Sequence, residues 1–301
     1  MIRVGVDFGG TKIEAAVLDG EGGFLSRRRV ATPPGYEAAI EAVCELVAQV
    51  EAEAGGGGGP VGVGGPGSVS PATGLLRNSN STMLNGRPLP ADLETALGRP
   101  VRYANDANCL ALSEAADGAG VGADPLFAVI VGTGCGGGLA AGGRLVSGAN
   151  AIAGEWGHTP LPWSTADEHP GPACWCGRRG CLETWLCGPA FSRDHREATG
   201  RTLAPTDIAE AARAGDPGAV ASMARYVDRL ARGLAMVCNI VDPEAIVLGG
   251  GVSNIPELYE RLPAAIAPYV FTDRWAARIA PARWGDSSGV RGAAWLWDAA
   301  G

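Results

Sequence analysis

An α/β protein made of two related halves is what the sequence predicts, on three observations. Short apolar runs of strand length alternate with longer stretches of helical period. Glycine-rich turns follow three of the strand-like runs. The unit of strand, threonine-bearing glycine turn and second strand occurs twice, about a domain length apart. At 301 residues the chain has room for two modest domains with proper cores. Its 46% hydrophobic and 19% charged residues exclude a disordered chain.

Taken in order, Ile2, Val4 and Val6 alternate into Asp7-Phe8-Gly9-Gly10-Thr11-Lys12, and a second apolar run over residues 13–18 ends at Asp19-Gly20. These are two strands with a glycine hinge between them. Residues 36–50 place Ile40, Val43, Val47 and Val50 on one face, an amphipathic helix. Residues 55–59 are five glycines, a loop to which we assign no chemistry, and Pro60 restarts the chain into a short strand over 61–63. Asp106 opens a helix over 107–116. Residues 127–131 form a strand, Gly132 to Gly138 a glycine-rich turn, and residues 139–141 a further strand before Gly142-Gly143. Val220, Met223, Val227, Leu230, Leu234 and Val237 keep a helical period into Asp242-Pro243. A buried strand over 245–248 then meets Gly249-Gly250-Gly251. Asp286-Ser287-Ser288 offer caps for a closing apolar helix over 290–297.

The net charge of -8 argues against nucleic acid as the main partner, since phosphate-backbone binding draws on surplus Lys and Arg. It leaves a nucleotide ligand open, because backbone N–H groups and one metal ion can hold a triphosphate on an acidic protein. The first residues lack a signal-peptide pattern, and no apolar run reaches membrane-spanning length. A cytoplasmic protein without a membrane partner is the expectation. Its eight cysteines then stay reduced, and clustered ones point to a metal before disulfides.

Glycine turns after strands bring backbone N–H groups close to oxygen, which is how phosphates are commonly bound. The three here are Gly9-Gly10-Thr11, Gly132-Thr133-Gly134 and Gly249-Gly250-Gly251. None fits the P-loop or dinucleotide patterns. Any one alone reads as a turn required by the fold. The first two together, each with a threonine hydroxyl, favour two β-turns gripping one phosphate chain. Asp7, directly before the first turn, could hold the Mg²⁺ of a nucleotide or bond the N–H groups of its own turn.

Cys174-Trp175-Cys176-Gly177-Arg178-Arg179-Gly180-Cys181 packs three thiols into a loop turned by glycines, with His158 upstream in Glu155-Trp156-Gly157-His158. Three thiolates and one imidazole complete the closed tetrahedral set of a structural zinc site. His169 is a rival fourth ligand, and a disulfide is the competing chemistry. Such a zinc shapes its surroundings rather than activating water. Cys44, Cys109, Cys135, Cys187 and Cys238 lie among apolar residues and read as small buried hydrophobes.

These pieces resemble the ROK family (repressors, open reading frames and kinases) almost end to end. The resemblance runs from Asp7-Phe8-Gly9-Gly10-Thr11-Lys12, through Gly65-Pro66-Gly67, Asn105-Asp106-Ala107-Asn108, Glu155-Trp156-Gly157-His158 and the cysteine loop ending Gly180-Cys181-Leu182-Glu183, to the glycine-rich stretch from Gly285 to Ala294. The ExGH and CxCGxxGCxE motifs are its most specific parts. It implies an actin-like ATPase (ribonuclease H-like) fold of two α/β domains about a central cleft. The small one would hold residues 1–118, rejoined by a C-terminal helix over 289–301, and the large one residues 119–288.

The resemblance also implies an ATP-dependent hexose kinase, commonly a homodimer. Asp106 would be the general base, although a helix-capping role for it stays open. A carboxylate at a helix N-terminus is expected to stay ionised at neutral pH. Gly65, Asn80, Asn105, Asp106, Glu155, His158 and Glu183 would contact the sugar, with His158 using one ring nitrogen on zinc and the other on the substrate. Gly9, Gly10, Thr11, Lys12, Gly132, Thr133 and Gly134 would meet the ATP phosphates, and Gly249 and Gly250 the adenosine. Residues 78–86 and 154–163 look most like the bacterial fructokinase and mannokinase branch, so fructose phosphorylated at its 6-hydroxyl is expected. N-acetylglucosamine, glucose, mannose and N-acetylmannosamine are the alternatives; the N-acetylglucosamine kinase branch differs after Asn80. A sugar-responsive repressor would carry a helix-turn-helix ahead of the first motif, for which the six residues before Asp7 leave no room.

Overall fold

The computed structural model describes residues 2–297, the side chain of Asp286 excepted. The chain divides into two compact units. Unit 1 takes the residues up to 122, then 138–153, and those from 283 onward; unit 2 takes 123–137 and 154–282.

The first sheet begins with β1 (Arg3–Phe8), β2 (Lys12–Leu18) and β3 (Phe24–Ala31), which pair antiparallel in succession. Helix α1 (Tyr36–Glu53) crosses to β4 (Val61–Gly65), which returns parallel beside β1. A small hairpin of β5 (Ser68–Val69) and β6 (Leu76–Arg77) and helix α2 (Leu89–Leu97) precede β7 (Val101–Asn105), parallel to β4. The order is β3-β2-β1-β4-β7. Helix α3 (Asp106–Ala116) starts directly from the last residue of β7.

The second sheet draws on β8 (Leu126–Val131), β9 (Cys135–Ala141) and β10 (Arg144–Leu145). Helices α4 (Glu183–Leu186), α5 (Gly188–Thr199), α6 (Pro205–Arg213) and α7 (Pro217–Val241) lead to β11 (Ala245–Gly249). Helix α8 (Glu257–Ile266) leads to β12 (Arg278–Pro281), and α9 (Ser288–Trp295) follows. Its order, β10-β9-β8-β11-β12, matches the first sheet position for position. The repetition legible in the sequence is therefore a repetition of topology.

Alternation explains how unit 1 is layered. Val4, Val6 and Phe8 of β1 and Val61 and Val63 of β4 are buried in one core cluster with Val43, Leu46 and Val47 of α1. Each such side chain contributes roughly 1.5–3 kcal/mol on burial. The intervening Gly5 and Gly62 face α9, whose backbone approaches so closely that a Cβ at either position would strike the Val290 or Ala293 carbonyl oxygen. The Val-Gly alternation thus writes a side-chain layer on one face and a helix in backbone contact on the other.

Several expectations are corrected. Residues 138–153 belong to unit 1 rather than to a large second domain: the Arg77 guanidinium donates to the Asn150 carbonyl at 2.7 Å, and β10 packs against α3. The two units are of comparable size, so the labels small and large do not apply. Strand β9 starts at Cys135, inside the glycine run read as a turn, since a glycine backbone still offers one N–H and one C=O to a ladder. Helix α7 begins at Pro217, capped by Asp216, which accepts the Ala219 N–H at 2.8 Å. Helix α9 spans Ser288–Trp295 and has no side-chain cap; Ser288 instead donates to the buried Glu114 at 3.2 Å. The expected cap at Asp286 involves a side chain outside the described residues, as do residues 298–301 of the expected C-terminal helix. Among the described residues no helix is long and apolar enough to cross a membrane.

Candidate active site and metal centre

In unit 1 the predicted residues gather at the ends of three neighbouring strands. Asp7 of β1 lies opposite Gly64 of β4, and Gly65 opposite Asn105 of β7. This is the carboxyl edge of a parallel stretch of sheet, the usual place for ligands in α/β folds. The turn from Gly9 to Lys12 is closed by the Gly9 N–H donating to the Lys12 carbonyl at 2.9 Å. Thr32 braces it from β3's far end: its hydroxyl donates to the Gly9 carbonyl at 2.7 Å, and its N–H to the Thr11 carbonyl at 3.0 Å. Gly10 and Thr11 are left exposed. Asp7 is half-buried against the first turn of α9, where a Cβ on Gly289 would come within 2.9 Å of its Oδ2.

Asn105 is the residue that caps α3. Its Oδ1 accepts the Asn108 N–H at 2.7 Å, while Asp106, the first helical residue, accepts the adjacent Ala107 N–H at 2.8 Å. The capping alternative for Asp106 is thereby answered. Its side chain keeps solvent-exposed area, yet desolvation by the surrounding protein is the largest influence on its carboxyl and outweighs the Ala107 N–H bond, so its pKa is raised. The helix end is expected to favour the anion; burial opposes it and has the larger influence.

Two residues that sequence reasoning gave no role support this edge. Tyr103 donates to the Pro66 carbonyl at 2.8 Å and holds the Gly65-Pro66-Gly67 turn. Burial, then the charges of Asp106, Cys109 and Asp7, push its hydroxyl well above the usual tyrosine range, so it remains a donor. Asn85 braces the loop carrying the exposed Asn80, accepting the Ser79 N–H and donating to the Ser79 carbonyl, both at 2.9 Å. Asn85 lies six residues from Ser79, and no sequence periodicity announces that bond.

Unit 2 brings together the second and third glycine turns. Gly249 pairs with Ile130 at the ends of β11 and β8. Gly250, at φ 86°, lies against the Val131 carbonyl, which a Cβ would meet at 2.6 Å; both the backbone angle and the space require glycine. The turn over Gly132-Thr133-Gly134 is closed by the Gly132 N–H donating to the Gly134 carbonyl at 3.0 Å, with Thr133 exposed.

The segment from Glu155 to His158 is fixed by Trp156, buried edge-on to Phe127 at 6.0 Å and donating through Nε1 to the Gly136 carbonyl at 2.9 Å. Downstream, the Leu182 N–H donates to the Thr159 carbonyl at 2.9 Å, and the Cys174 N–H donates to the Arg178 carbonyl at 2.8 Å. These bonds carry His158 to the cysteine loop. The ligand atoms of His158, Cys174, Cys176 and Cys181 all lie within 4.8 Å of one another. Cys174 Sγ is 3.6 Å from His158 Nδ1, and Cys176 Sγ is 3.7 Å from Cys181 Sγ. Ligand bonds of about 2.3 Å to a tetrahedral zinc give edges of roughly 3.8 Å, so the set fits that ion. Sulfurs 3.7 Å apart are not a disulfide, and His169 is not among the four. Burial pushes the Cys181 thiol up to about 12 and its neighbouring sulfurs push it the same way, whereas the Cys176 thiol is lowered, first by its bond with the Arg178 backbone; a bound cation would favour all three thiolates together.

Glu183 uses both carboxylate oxygens within unit 2. Oε2 accepts the Cys135 N–H at 3.1 Å, and Oε1 accepts the Trp175 indole N–H at 2.6 Å.

The ROK family model matches residues 3–300. An N-acetyl-D-glucosamine kinase of Pasteurella multocida is 40% identical, the match covering 98% of this chain and 99% of that one. Among solved structures, a ROK hexokinase from Thermus thermophilus matches at TM-score 0.87 and 38% identity over 98% of this chain and 97% of its own. A ROK family glucokinase from Streptomyces griseus, in complex with glucose and AMPPNP, matches at TM-score 0.79 and 34% identity over 98% and 99%. With these structures the chain shares the actin-like ATPase fold, whose mark is a pair of α/β sheets of equal strand order.

Proposed function

Because the chain belongs to the ROK family, we propose that it is an ATP-dependent sugar kinase acting on N-acetyl-D-glucosamine at the 6-hydroxyl. The observation that carries the reading is the division of labour at α3. Asn105 supplies the cap, so the Asp106 carboxylate remains available as a base at a strand edge shared with Asp7 and Gly65. Asp106 takes the proton of the sugar hydroxyl as its oxygen bonds the γ-phosphorus and the bond to the departing ADP breaks. A pKa raised above an ordinary aspartate's suits that role, since proton acceptance strengthens as the base's pKa approaches the working pH. Phosphoryl transfer otherwise asks mainly for positioning and charge neutralisation. Gly9, Gly10, Thr11, Lys12, Gly132, Thr133 and Gly134 supply the phosphate contacts, Gly249 and Gly250 border the adenosine, and half-buried Asp7 is suited to the Mg²⁺ of ATP.

Asn80, Asn105, Glu155, His158 and Glu183, with backbone at Gly65, form the proposed sugar-binding set. His158, Cys174, Cys176 and Cys181 would hold zinc with His158 Nδ1 as ligand, leaving Nε2 to the sugar. A closed four-ligand zinc supplies shape and fixed orientation, not an activated water.

The fructose expectation gives way here. The local likeness of residues 78–86 and 154–163 weighs less than 40% identity to an N-acetyl-D-glucosamine kinase over nearly the whole length of both chains. A coupled ADP-release assay across N-acetylglucosamine, N-acetylmannosamine, glucose, mannose and fructose tests the choice. The highest kcat/KM is expected for N-acetylglucosamine; a higher value for fructose would reverse the assignment, and negligible turnover of all five would remove the kinase reading.

A further inference from the structure

Trp175 stands between two of the predicted metal ligands and is 65% exposed, an unusual setting for the largest apolar side chain. Cys174 is buried and Cys176 partly so; fixing those two residues on a metal leaves the residue between them pointing out of the loop. Outward exposure alone would be a liability. Here the indole makes two directed contacts. Its N–H donates to Glu183 Oε1 at 2.6 Å, and its ring stands edge-on to His158 with centroids 4.9 Å apart and planes at 86°.

Resting on the kinase reading above, we propose that Trp175 is a positioning residue for the sugar: its indole N–H holds the Glu183 carboxylate, and its ring edge steadies the His158 imidazole, in the orientation that receives the substrate hydroxyls. Glu183 is otherwise anchored at one point, through Oε2 to the Cys135 N–H. One anchor leaves the carboxylate free to turn about its terminal bond, which is broad in its preferences. Two anchors on different oxygens fix the plane. A carboxylate offers about four lone-pair directions, so two stay available for ligand hydroxyls after both protein bonds are made. The bond to Trp175 is short for an indole N–H donating to a carboxylate oxygen. The same carboxylate connects two functional segments, since Cys135 directly follows the Gly132-Thr133-Gly134 turn while Trp175 belongs to the cysteine loop.

Trp175→Phe deletes the N–H and keeps an aromatic ring beside His158. In the full chain this variant is expected to raise KM for N-acetylglucosamine about tenfold, or ~1.4 kcal/mol of binding free energy, because the sugar must then order a carboxylate that the indole no longer holds. KM for ATP and the metal content per chain should stay within twofold of wild type, and the melting temperature within a few degrees. Direct titration of the sugar without ATP should show the same tenfold weakening. Trp175→Leu, which also removes the ring edge from His158, should weaken sugar binding further with metal content again retained. The proposal is overturned if Trp175→Phe binds the sugar as wild type does, if KM for ATP rises equally, or if the variant loses its metal, which would make Trp175 a structural part of the loop. Wild-type turnover is read separately: a wild type inactive on every sugar overturns the kinase reading, whereas an active wild type with an unaffected variant overturns only this role of Trp175.

Discussion

Asn105 caps helix α3 through a 2.7 Å bond from the Asn108 N–H, and Asp106 beside it does not. Adjacent residues of similar shape therefore have separable duties: Asn105 holds the helix, and the proposed base, Asp106, is not needed for the cap.

Asp106→Asn preserves the shape of the side chain and leaves the Asn105 cap intact, but an amide cannot accept the hydroxyl proton. Turnover is expected to fall by about 10²–10⁴, the usual worth of a positioned base. Desolvation disfavours the ionised carboxylate, so the neutral amide should melt no lower than wild type. A coupled assay and a thermal melt on one preparation check both; a folded variant retaining more than a tenth of the activity would falsify the assignment of the base.

The raised pKa of Asp106 sets the direction of the pH dependence. Activity requires the deprotonated base, so kcat/KM should fall on acidification with a limb above the ordinary aspartate value of 3.8. For stability the sign is opposite: the folded state binds this proton more tightly than the unfolded one, so the group's contribution is complete below the unfolded pKa and is lost as pH rises through the folded one. The acid limb should disappear from the residual activity of Asp106→Asn, measured from pH 4 to 8.

Metal removal has a defined outcome. The protein as purified should carry about one zinc per chain by elemental analysis, and Cys176→Ser should carry little. Since the ligands tie His158 to the cysteine loop, loss of the ion should lower the melting temperature and weaken sugar binding together. Protein that is metal-free when isolated under reducing conditions, yet fully active, would remove the zinc site.

A fourth prediction concerns Glu168, buried in the loop after His158. It accepts from Arg229 Nε at 2.9 Å and from both terminal nitrogens of Arg232 at 2.8 Å. Burial alone would raise its pKa, but the bonds from Arg232, Arg229 and the Thr165 N–H outweigh it and hold the carboxyl down to about 2. The resulting stability is present above the ordinary value of 4.5 and is lost as pH falls from there towards 2. Glu168→Gln breaks a buried pair and should cost about 3–5 kcal/mol, read from thermal melts at pH 7. The variant's stability should also change less between pH 5 and 3 than that of wild type.

Much of the candidate site is legible because its motifs are local. A Cys174-x-Cys176-x4-Cys181 spacing and a threonine in a glycine turn each carry their meaning within a few residues. What stayed hidden depends on partners far along the chain. Arg77 reaching Asn150 decides that residues 138–153 join unit 1, and Tyr103 reaching Pro66 decides how the Gly65-Pro66-Gly67 turn is held. At α9 the residue in the cap position, Ser287, makes no side-chain cap, and the first helical residue, Ser288, donates to Glu114, 174 positions earlier, a bond no local pattern announces. The family motif singles out Glu183, but its bonds to Cys135 and Trp175 are not legible in it. The proposed sugar likewise rests on identity spread over the whole chain, not on the local likeness of residues 78–86 and 154–163.

The seating of α9 on β1 and β4 bears on synthesis. Its backbone lies in contact with glycines of strands that leave the ribosome more than two hundred residues earlier, and Arg102 of β7 donates to the Leu296 carbonyl at 3.0 Å. During translation, one face of the first sheet therefore waits uncovered while every residue of unit 2 emerges. The nascent chain has to shield that face, by chaperone or by transient collapse, until the last helix arrives to close it.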